Sequence, residues 1–410
     1  MRQELLCVCC LLVSSWGLVS PGSTLILGGG FAGTYTALQL SRLRPETKVT
    51  VVDERPRFTF LPLLYEYAVG LASKDEVSAS FDDLFGESPN IEFLLGAVES
   101  VDASKRRATL ADGRVLENYD SMVLALGRET GMTLPSSEMN GTYVTPFYRL
   151  EDAEGLRKRL PTAEKCVVVG GGFTGVELAC NLAMEKKSRK VLLVHRSPRL
   201  VPSASEHNRA AAADALRKVG VQVVLGQVER VDEKDKIVIL KDGNIEDVDV
   251  AVYTIGSRLA KPLMDLPAIH RVKGDVKQPL AIDAALRLRL NDDGPKNVFA
   301  LGDAAKAPGP SVAPSAQVAL QEALVCARNV AAYLDDRPPR PFSYIPLGEL
   351  LAYGPQDGSG SLLPQLDLDI LNIEGPVAGL ARRLVYAARM PTPAQRITSL
   401  AGLLSSSLEA

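Results

Sequence analysis

Short apolar runs, each followed by glycines and then by a helical pattern, recur in the N-terminal two thirds of the chain. Residues 25–40 read LILGGGFAGTYTALQL, and residues 167–182 read VVVGGGFTGVELACNL. Each segment joins a β-rich run, a glycine turn and a helix-like stretch, which predicts a strand–turn–helix unit. We therefore expect such units at residues 24–42 and 166–185, each opening a parallel α/β sheet.

The repeat extends well beyond the glycines. Residues 96–127 (GAVESVDASKRRATLADGRVLENYDSMVLALG) match residues 226–256 (GQVERVDEKDKIVILKDGNIEDVDVAVYTIG) almost step for step. Each segment has an Asp-Gly pair between alternating strands, which predicts a hairpin. Each then ends in an apolar strand closed by a glycine, Gly127 or Gly256. Chance does not explain two copies of such a long pattern, which therefore indicate an internal repeat.

The repeat predicts how the chain is divided. One dinucleotide-binding domain is expected over residues 22–135 and 281–338, and a second over residues 136–280. Residues 339–410 have no counterpart in either half, and within them residues 354–360 (GPQDGSG) predict a turn-rich loop. The predicted fold is therefore α/β, with two Rossmann-type dinucleotide-binding domains and a C-terminal segment.

The C-terminal region carries two apolar stripes at helical spacing. They consist of Val377, Leu380, Ala381, Leu384, Val385 and Ala388, and of Ile397, Leu400, Ala401, Leu404 and Leu408. Arg382, Arg383 and Arg389 accompany the first stripe, which predicts a helix on a membrane surface with these arginines at the lipid headgroups. The alternative is that the stripe packs against the first domain or against a second subunit in a homodimer.

Composition narrows the function classes. A net charge of −3 offers no concentrated basic face for nucleic acid. Three of the six cysteines lie in the first ten residues, which leaves Cys166, Cys180 and Cys326 without a C-x-x-C pair. With three histidines and no H-E-x-x-H motif, neither a disulfide framework nor a metal site is expected.

The N-terminus resembles a secretory signal peptide over residues 1–21. Arg2 precedes an apolar run from Leu5 to Val13, and small residues follow as far as Ser20. The run is shorter than the roughly 20 residues that a membrane span requires. Cleavage near Ser20 would leave almost nothing before the first strand, so a wrongly assigned start is the alternative.

The first glycine turn has the spacing of a pyrophosphate site. Gly28, Gly30 and Gly33 permit a tight turn and close backbone approach, and the following helix N-terminus favours phosphate. Asp53 follows Gly33 by twenty residues, the distance at which a ribose-binding acid is expected. The alternative is an ordinary tight turn with a surface acid.

The second glycine turn lacks that acid. Gly170, Gly172 and Gly175 repeat the spacing, but the corresponding position holds His195, followed by Arg196. A carboxylate there would bind the ribose hydroxyl of NAD and repel the 2′-phosphate of NADP, whereas a His–Arg pair removes the repulsion. We therefore expect NADPH, or use of both nicotinamides. The alternative is that these are surface charges that select nothing.

A third segment begins with another apolar strand. Residues 298–305 (VFALGDAA) end in Gly302-Asp303, and residues 312–322 (VAPSAQVALQE) should open a helix with free backbone amides. A strand ending in Gly-Asp resembles the close of the FAD domain in two-dinucleotide flavoproteins, in which the aspartate binds the ribityl chain of FAD.

More specific motifs resemble the type II NAD(P)H:quinone dehydrogenases. Residues 316–322 (AQVALQE) look like that family's A-Q-x-A-x-Q/E signature, which lies beside the flavin ring and the quinone pocket. Residues 60–66 (FLPLLYE) are similar to its P-L-L-Y-E segment. Residues 347–351 and 381–392 look closest to the plastid branch, which reduces plastoquinone and demethylphylloquinone. The resemblance runs from about Thr24 to Pro393.

The resemblance implies an FAD-dependent NAD(P)H:quinone oxidoreductase on a plastid membrane, thylakoid or plastoglobule, with the mitochondrial inner membrane as the alternative. The implied FAD-binding residues are Gly28, Gly30, Gly33, Asp53, Gly127, Gly302, Asp303, Ala316 and Gln317. The implied NAD(P)H-binding residues are Gly170, Gly172, Gly175, Glu177, His195, Arg196 and Gly256. The protein would position FAD between nicotinamide and a lipid-soluble quinone, while FAD carries the redox chemistry.

Three residues are predicted to take part in catalysis. Quinone reduction takes up two protons, so an ionisable group near the flavin would help. Glu177 matches a family glutamate near the nicotinamide, although it could equally be an acid that only favours the helix dipole. Gln317 is expected beside the quinone. Glu322 is a second acid, for which we favour a solvated position on the helix.

Other acceptors remain open at the sequence level. Disulfide reductases and sulfide:quinone reductases need paired cysteines beside the flavin, which this chain lacks. Each of Cys166, Cys180 and Cys326 is expected to be a small buried residue. A ferredoxin reductase, an apoptosis-inducing-factor-like oxidoreductase and a redox-sensing scaffold that turns over poorly are the remaining alternatives.

Overall fold

The computed structural model describes residues 21–130, 144–267, 270, 272, 278–289, 296–308, 312–363 and 369–408. The predicted leader, apart from its last residue, lies outside the described residues. The side chains of Leu404 and Leu408, in the second predicted stripe, lie outside them as well.

The N-terminal third contains one glycine-turn unit and a meander of short strands. Its elements are β1 (Ser23–Leu27), α1 (Phe31–Leu43), β2 (Lys48–Asp53), β3 (Arg57–Thr59), α2 (Leu64–Ala68), α3 (Lys74–Val77), β4 (Ser78–Ser80), α4 (Phe81–Phe85), β5 (Ile91–Leu95), β6 (Val98–Asp102), β7 (Arg107–Leu110), β8 (Val115–Leu116), β9 (Ser121–Leu124) and β10 (Arg128–Thr130).

The middle of the chain repeats this order. Its elements are β11 (Val144–Pro146), α5 (Leu150–Arg159), β12 (Lys165–Val169), α6 (Phe173–Glu185), β13 (Lys190–His195), α7 (Glu206–Lys218), β14 (Gln222–Leu225), β15 (Val228–Asp232), β16 (Ile237–Leu240), β17 (Gly243–Ile245), β18 (Val250–Tyr253), β19 (Ser257–Leu259) and α8 (Lys261–Met264).

The last third returns to the first sheet and then adds a separate block. Its elements are β20 (Leu280–Ala281), β21 (Val298–Ala300), β22 (Ala305–Lys306), α9 (Ala316–Leu334), β23 (Gly348–Gly354), β24 (Asp357–Leu362), β25 (Asn372–Glu374), α10 (Gly375–Arg389) and α11 (Pro393–Leu408).

Two parallel five-stranded sheets form the centre of the fold. The first has the order β21-β9-β1-β2-β5 and the second the order β11-β18-β12-β13-β14. The central strands are buried on both faces, which is why they read as continuous apolar runs. The predicted fold class, two Rossmann-type units with a parallel sheet each, is confirmed.

The two glycine turns have nearly the same geometry. Gly28 and Gly170 have φ angles of +107° and +124°, a region that L side chains rarely adopt. A Cβ at Gly33 would overlap the Gly28 carbonyl oxygen, and a Cβ at Gly175 would overlap that of Gly170. The glycines therefore allow the helix to pack directly against its own turn. The predicted Asp-Gly hairpins also form, between β7 and β8 and between β16 and β17.

The C-terminal block begins with an antiparallel hairpin. We predicted a turn-rich loop over residues 354–360, and this was wrong beyond the turn, because Gly358 and Gly360 lie within β24. Gly358 is needed for close packing: an added Cβ would overlap the Leu351 carbonyl and approach the Gly379 backbone nitrogen of α10. Across the described residues, no helix is long and apolar enough to cross a membrane.

Candidate functional site

A cavity of about 980 Å³ opens at the carboxyl ends of the first sheet. Ligands of parallel α/β sheets bind at this edge. Its wall combines parts of all three regions of the chain. They are the first glycine turn, the start of α6, the Gly302-Asp303 turn, the start of α9, residues 346–350 and part of α10.

The first glycine turn forms the end of the cavity suited to a pyrophosphate. α1 begins after Gly30, where no side chain caps the helix and no acid occupies the first turn. An added Cβ at Gly30 would meet no atom within 4 Å, so the backbone there is open to a ligand. The Asp53 carboxylate accepts hydrogen bonds from the Gly29 N–H (2.8 Å) and the Arg55 N–H (2.9 Å). The turn and the acid are thus held together.

The Gly302-Asp303 turn lies across the same cavity. Gly302 has a φ of +70°, and Gly127, with a φ of +63°, lines the wall beside it. Burial raises the pKa of the Asp303 carboxyl, while the charge of Arg128 opposes the increase. An acid that is partly desolvated in this way is a strong acceptor for a ligand hydroxyl.

The helix predicted after this turn begins later than residue 312. α9 starts at Ala316, and the Ser315 side chain accepts a hydrogen bond from the Val318 N–H. We had predicted that the first backbone amides of this helix would be free. This was wrong for the Val318 amide, because the Ser315 side chain caps the helix. Ala316 and Gln317 line the cavity.

Gln317 is anchored to the segment that leads into β23. Its Oε1 accepts hydrogen bonds from the Tyr344 hydroxyl and the Leu347 N–H, both at 2.9 Å. Its Nε2 donates to the Gly348 carbonyl at 3.1 Å. The side chain therefore connects α9 to the cavity wall formed by residues 344–348.

Glu177 is a buried carboxyl at the point where the two glycine-turn halves meet. It lies on α6 and lines the cavity. Its Oε1 accepts hydrogen bonds from the Tyr65 hydroxyl and the Ala352 N–H, both at 3.1 Å. Burial raises the pKa of Glu177 to about 7, although the nearby Arg382 charge opposes the shift. A carboxyl with a pKa near neutrality can donate and regain a proton.

Arg382 and Arg383 are buried inside the protein rather than exposed to headgroups. Arg382 is 1% exposed and donates to Glu66 at 2.6 Å, and its guanidinium stacks over the Tyr386 ring. Arg383 pairs with Glu66 and lies 3.6 Å from Glu76. The prediction of headgroup contacts was wrong for these two arginines, because buried acids neutralise them. Arg389 lines the cavity.

Sequence reasoning missed Tyr65, which lines the cavity, and the buried acids Glu66 and Glu76, which pair with Arg382 and Arg383. Glu66 ends the FLPLLYE segment that carried the family resemblance, and Tyr65 precedes it. The sequence contained one indication of such acids, which is the Arg-Arg pair inside an apolar helical stripe. Two cations that are buried with that stripe require acids to neutralise them. The sequence could not indicate which acids those are.

Glu322 is buried behind the cavity wall and does not face solvent. It is 4% exposed, and its Oε2 accepts the Gly302 N–H at 2.6 Å. The solvated position that we favoured was wrong, because α9 packs along α1 and turns this face inward. Burial and the neighbouring Asp303 charge raise the pKa of Glu322 to about 7.

The second glycine turn lies outside the cavity lining. His195 Nδ1 accepts a hydrogen bond from the Gly171 N–H at 3.1 Å, which requires an unprotonated Nδ1. Its Nε2 then carries the proton and donates to the Arg199 carbonyl, also at 3.1 Å. His195 therefore occupies the place that Asp53 has in the first half. Arg196 is exposed beside it.

The other residues that were predicted to bind NAD(P)H occupy positions that correspond to those of the first half of the repeat. Gly172 caps α6 as Gly30 caps α1, and Gly256 has a φ of +80°, close to that of Gly127. Phe173, Thr174 and Glu177 carry α6 into the cavity wall. The second turn thus approaches the cavity from the side of the other sheet.

The described residues contain neither a cysteine pair nor a metal-binding cluster. Cys166, Cys180 and Cys326 are free and buried, as predicted, and burial raises the pKa of each thiol. Within the described ranges no group of His, Cys, Asp and Glu side chains is arranged to hold a metal ion.

The family of the chain follows from the span of its similarity. Residues 22–323 match the pyridine nucleotide-disulphide oxidoreductase family, which covers both glycine turns and the Gly302-Asp303 turn. The chain belongs to this family. The matched span contains both glycine-turn units, while Cys166, Cys180 and Cys326 are free and buried.

Two relatives and one solved structure place it more closely. Demethylphylloquinone reductase NdbB from Synechocystis sp. is 33% identical, covering 91% of this chain and 93% of the relative. Alternative NAD(P)H-ubiquinone oxidoreductase C1, chloroplastic/mitochondrial, from Arabidopsis thaliana is 32% identical, covering 90% and 78%. The fold is similar to that of NDH2 from Plasmodium falciparum in complex with NADH, with a TM-score of 0.79, 16% identity and coverage of 95% and 98%. These relatives confirm the resemblance to the type II quinone dehydrogenases and to their plastid branch.

Proposed function

We propose that this protein is an FAD-dependent NAD(P)H:quinone oxidoreductase that reduces a prenylated quinone without pumping protons. Bound FAD would supply the redox chemistry, accepting hydride from the nicotinamide and passing electrons to the quinone. The relatives that are 33% and 32% identical are named for quinone reduction. This chain covers 93% and 78% of their lengths. The native quinone is expected to be plastoquinone, demethylphylloquinone or a similar molecule.

The cavity shared by all three regions of the chain carries this proposal. The first glycine turn, Asp53, Gly127, Gly302 and Asp303 are the residues proposed to hold FAD. Their fit is supported by the open backbone at Gly30 and by the desolvated carboxyl of Asp303. Ala316 is proposed to lie against the flavin.

The acceptor end of the cavity is proposed to lie between Gln317 and Glu177. Gln317 would orient the quinone, because its side chain is fixed by three hydrogen bonds to residues 344–348. Glu177 would donate a proton to the quinone oxygen, since its pKa of about 7 lets it hold a proton at neutral pH. Its hydrogen bonds both go to Oε1, which leaves Oε2 to carry the proton.

The nicotinamide cofactor is proposed to bind across the second glycine turn. Gly170, Gly172, Gly175 and Gly256 would support its pyrophosphate and ribose. His195 presents no carboxylate to a 2′-phosphate, and Arg196 is an exposed cation beside it. We therefore propose that NADPH is accepted at least as well as NADH.

Binding to a membrane surface is supported by the last two helices, on which apolar side chains are exposed and polar side chains are buried. On α10, Val377, Leu380 and Leu384 are 65%, 49% and 46% exposed, while both central arginines are buried. On α11, Ile397 is 67% exposed, while Gln395 and Ser399 are buried. A helix in water turns its apolar face inward, so this arrangement favours a lipid surface outside. We propose peripheral attachment, without a span.

The proposed location is supported by the same relatives. One is named as chloroplastic/mitochondrial and the other is cyanobacterial, which supports a plastid membrane as the site of action. We propose the thylakoid or plastoglobule surface and keep the mitochondrial inner membrane as the alternative. A homodimer would require a partner for one of the apolar faces named above.

Steady-state kinetics test the proposed function. Purified protein should be yellow, with FAD bound, and should oxidise NADPH and NADH anaerobically with a panel of water-soluble and prenylated quinones. Turnover with quinones, and none with ferredoxin, is the expected result. A protein that binds FAD and NADPH but reduces no quinone would contradict the proposal and favour a redox-sensing scaffold.

A further inference from the structure

Buried polar atoms without a hydrogen-bond partner are concentrated at one place among the described residues. Of eleven such side-chain atoms, seven lie there: Glu76 Oε1, Arg382 Nε, Arg383 Nη1, Gln395 Nε2 and Oε1, Ser399 Oγ, and Glu66 Oε2, which is ion-paired with Arg383 but accepts no hydrogen bond. We call these six residues the polar seam. Folded proteins pair nearly all buried polar groups, with protein or with ordered water. So many unsatisfied atoms in one place therefore indicate water.

The polar seam extends from the last helix towards Glu177. Gln395 and Ser399 lie on one face of α11 with Gly402, where an added methyl group would overlap the Glu76 carboxylate of α3. From there the ion pairs run from Glu76 to Arg383, Glu66 and Arg382 in turn.

Tyr65 completes the connection. Its hydroxyl contacts the Arg382 guanidinium on one side and donates to Glu177 Oε1 at 3.1 Å on the other. Arg382 Nε, one of the unpartnered atoms, lies 4.0 Å from the same Glu177 oxygen. That separation is too long for a direct hydrogen bond, and a water molecule can bridge the two atoms.

The polar seam and Glu177 together are electrically neutral only while Glu177 is protonated. Glu66 and Glu76 neutralise Arg382 and Arg383, so the Glu177 carboxyl is an additional acid. When Glu177 loses its proton, the assembly gains a net charge of about −1, which attracts a proton back in this low-dielectric setting. Glu76 itself is buried, and the next residue in the chain, Asp75, has a side chain that is 84% exposed.

We propose that the polar seam holds ordered water molecules and conducts protons from solvent to Glu177 during quinone reduction. This inference rests on the proposed function. The overall reaction is NAD(P)H + H⁺ + quinone → NAD(P)⁺ + quinol, so one proton per turnover comes from solvent. Electrons come from the nicotinamide, Glu177 gives its proton to the quinone, and the polar seam replaces that proton.

Water molecules and carboxylates would carry the moving proton. Arginine keeps its proton at any accessible pH, so Arg382 and Arg383 act as fixed charges that orient the water. Bound cofactors and quinone fill the cavity on the other side of Glu177 during turnover. None of the six polar-seam residues lines that cavity, so the polar seam would remain open at that moment.

The test closes the far end of the polar seam without touching its ion pairs. In the double variant Gln395→Leu/Ser399→Ala, apolar groups replace three unpartnered polar atoms, so the fold should be at least as stable. In stopped-flow experiments, flavin reduction by NADPH should be unchanged. Reoxidation by quinone should slow by about tenfold or more, with a larger solvent deuterium isotope effect. Thr398→Ala, on the neighbouring face of α11, is the matched control.

The outcomes separate this inference from the proposed function. Wild-type protein that fails to reduce quinone contradicts the proposed function itself. Wild-type turnover together with unchanged reoxidation and isotope effect in the folded double variant overturns the polar seam alone. A high-resolution crystal structure gives an independent measurement: water bound at Gln395, Ser399 and Glu76 is expected, and a dry interface would also overturn the inference.

Discussion

The Tyr65 hydroxyl donates a hydrogen bond to Glu177 Oε1 at 3.1 Å, joining residues that are 112 positions apart in the chain. Tyr65 lies on α2, which follows the first glycine-turn unit, and Glu177 lies on the helix of the second. The two halves of the repeat therefore meet at the carboxyl that is proposed to protonate the quinone.

This contact predicts a specific pH dependence. The acid form of Glu177 is present below its pKa of about 7 and is lost as pH rises through that value. Quinone-driven reoxidation should therefore fall as pH increases from 6 to 8. Glu177→Gln should slow reoxidation by roughly a hundredfold and abolish the profile. In Tyr65→Phe the midpoint should move upward, because the lost hydrogen bond had lowered the pKa. An unchanged profile in Glu177→Gln would exclude Glu177 as the acid.

Asp303 and Glu322 should act together on FAD retention. Asp303→Ala should weaken FAD binding by about tenfold or more, since a charged acceptor is lost. Glu322→Leu should weaken it similarly by releasing the Gly302 N–H, while Glu322→Gln keeps an acceptor and should bind within about threefold of wild type. Titration of apoprotein with FAD measures all three. In the double variant Asp303→Ala/Glu322→Leu the losses should not add, and additive losses would mean that Glu322 acts independently of Asp303.

His195 should determine the choice of nicotinamide. In His195→Glu the new carboxylate can accept the Gly171 N–H, as Asp53 does for Gly29, and it repels a 2′-phosphate. The ratio of kcat/KM for NADH over NADPH should rise by about tenfold or more, which corresponds to about 1.4 kcal/mol. Gln222→Glu, at the other end of the adjacent strand, makes a similar change of charge and should leave the ratio unaltered. Wild-type protein that ignores NADPH would refute this interpretation.

Gln317 should affect the quinone more than the nicotinamide. Gln317→Ala removes the anchor of residues 344–348, so reoxidation by quinone should slow more than reduction by NADPH. The control is Gln321→Ala. The native Gln321 side chain forms similar hydrogen bonds with the Ile345 backbone but does not line the cavity. Rapid-mixing kinetics time the two half-reactions separately. Equal slowing of both would contradict the proposed division of the site.

The apolar face of α10 should mediate membrane binding. Replacing Val377, Leu380 and Leu384 with Ser should lower liposome binding by about tenfold or more, while FAD binding and reduction of a water-soluble quinone persist. Serines at Val223 and Leu225, which are 47% and 63% exposed on β14, are the matched control. Unchanged liposome binding in the α10 variant would contradict the anchor.

Truncation is a poorer test of the anchor than these surface changes. Removing the chain from Gly375 onward would leave Glu66 and Glu76 buried without Arg382 and Arg383. Breaking a buried ion pair in this way costs about 3–5 kcal/mol, so the truncated protein should melt at a lower temperature or fail to fold. Thermal unfolding of the two forms measures the difference.

Local sequence patterns were sufficient to predict the fold class, the family and the cofactor turns. Glycine spacing, apolar strands and the ribose acid are local patterns, because each is contained within one strand–turn–helix unit. That is why the positions of Gly28, Asp53 and His195 in the two glycine-turn units could be predicted from the amino-acid sequence. The substitution of His195 for an acid was likewise visible from spacing alone.

The surroundings of these local units depend on long-range packing and became clear only from the folded chain. An apolar stripe on a helix does not specify whether lipid or protein covers it, so Arg382 and Arg383 were predicted to face headgroups and are buried instead. Glu322 was predicted to face solvent because helical periodicity does not reveal which neighbour packs alongside. The contacts of Glu177 join residues from three distant segments, and long-range packing of this kind leaves no local pattern in the sequence.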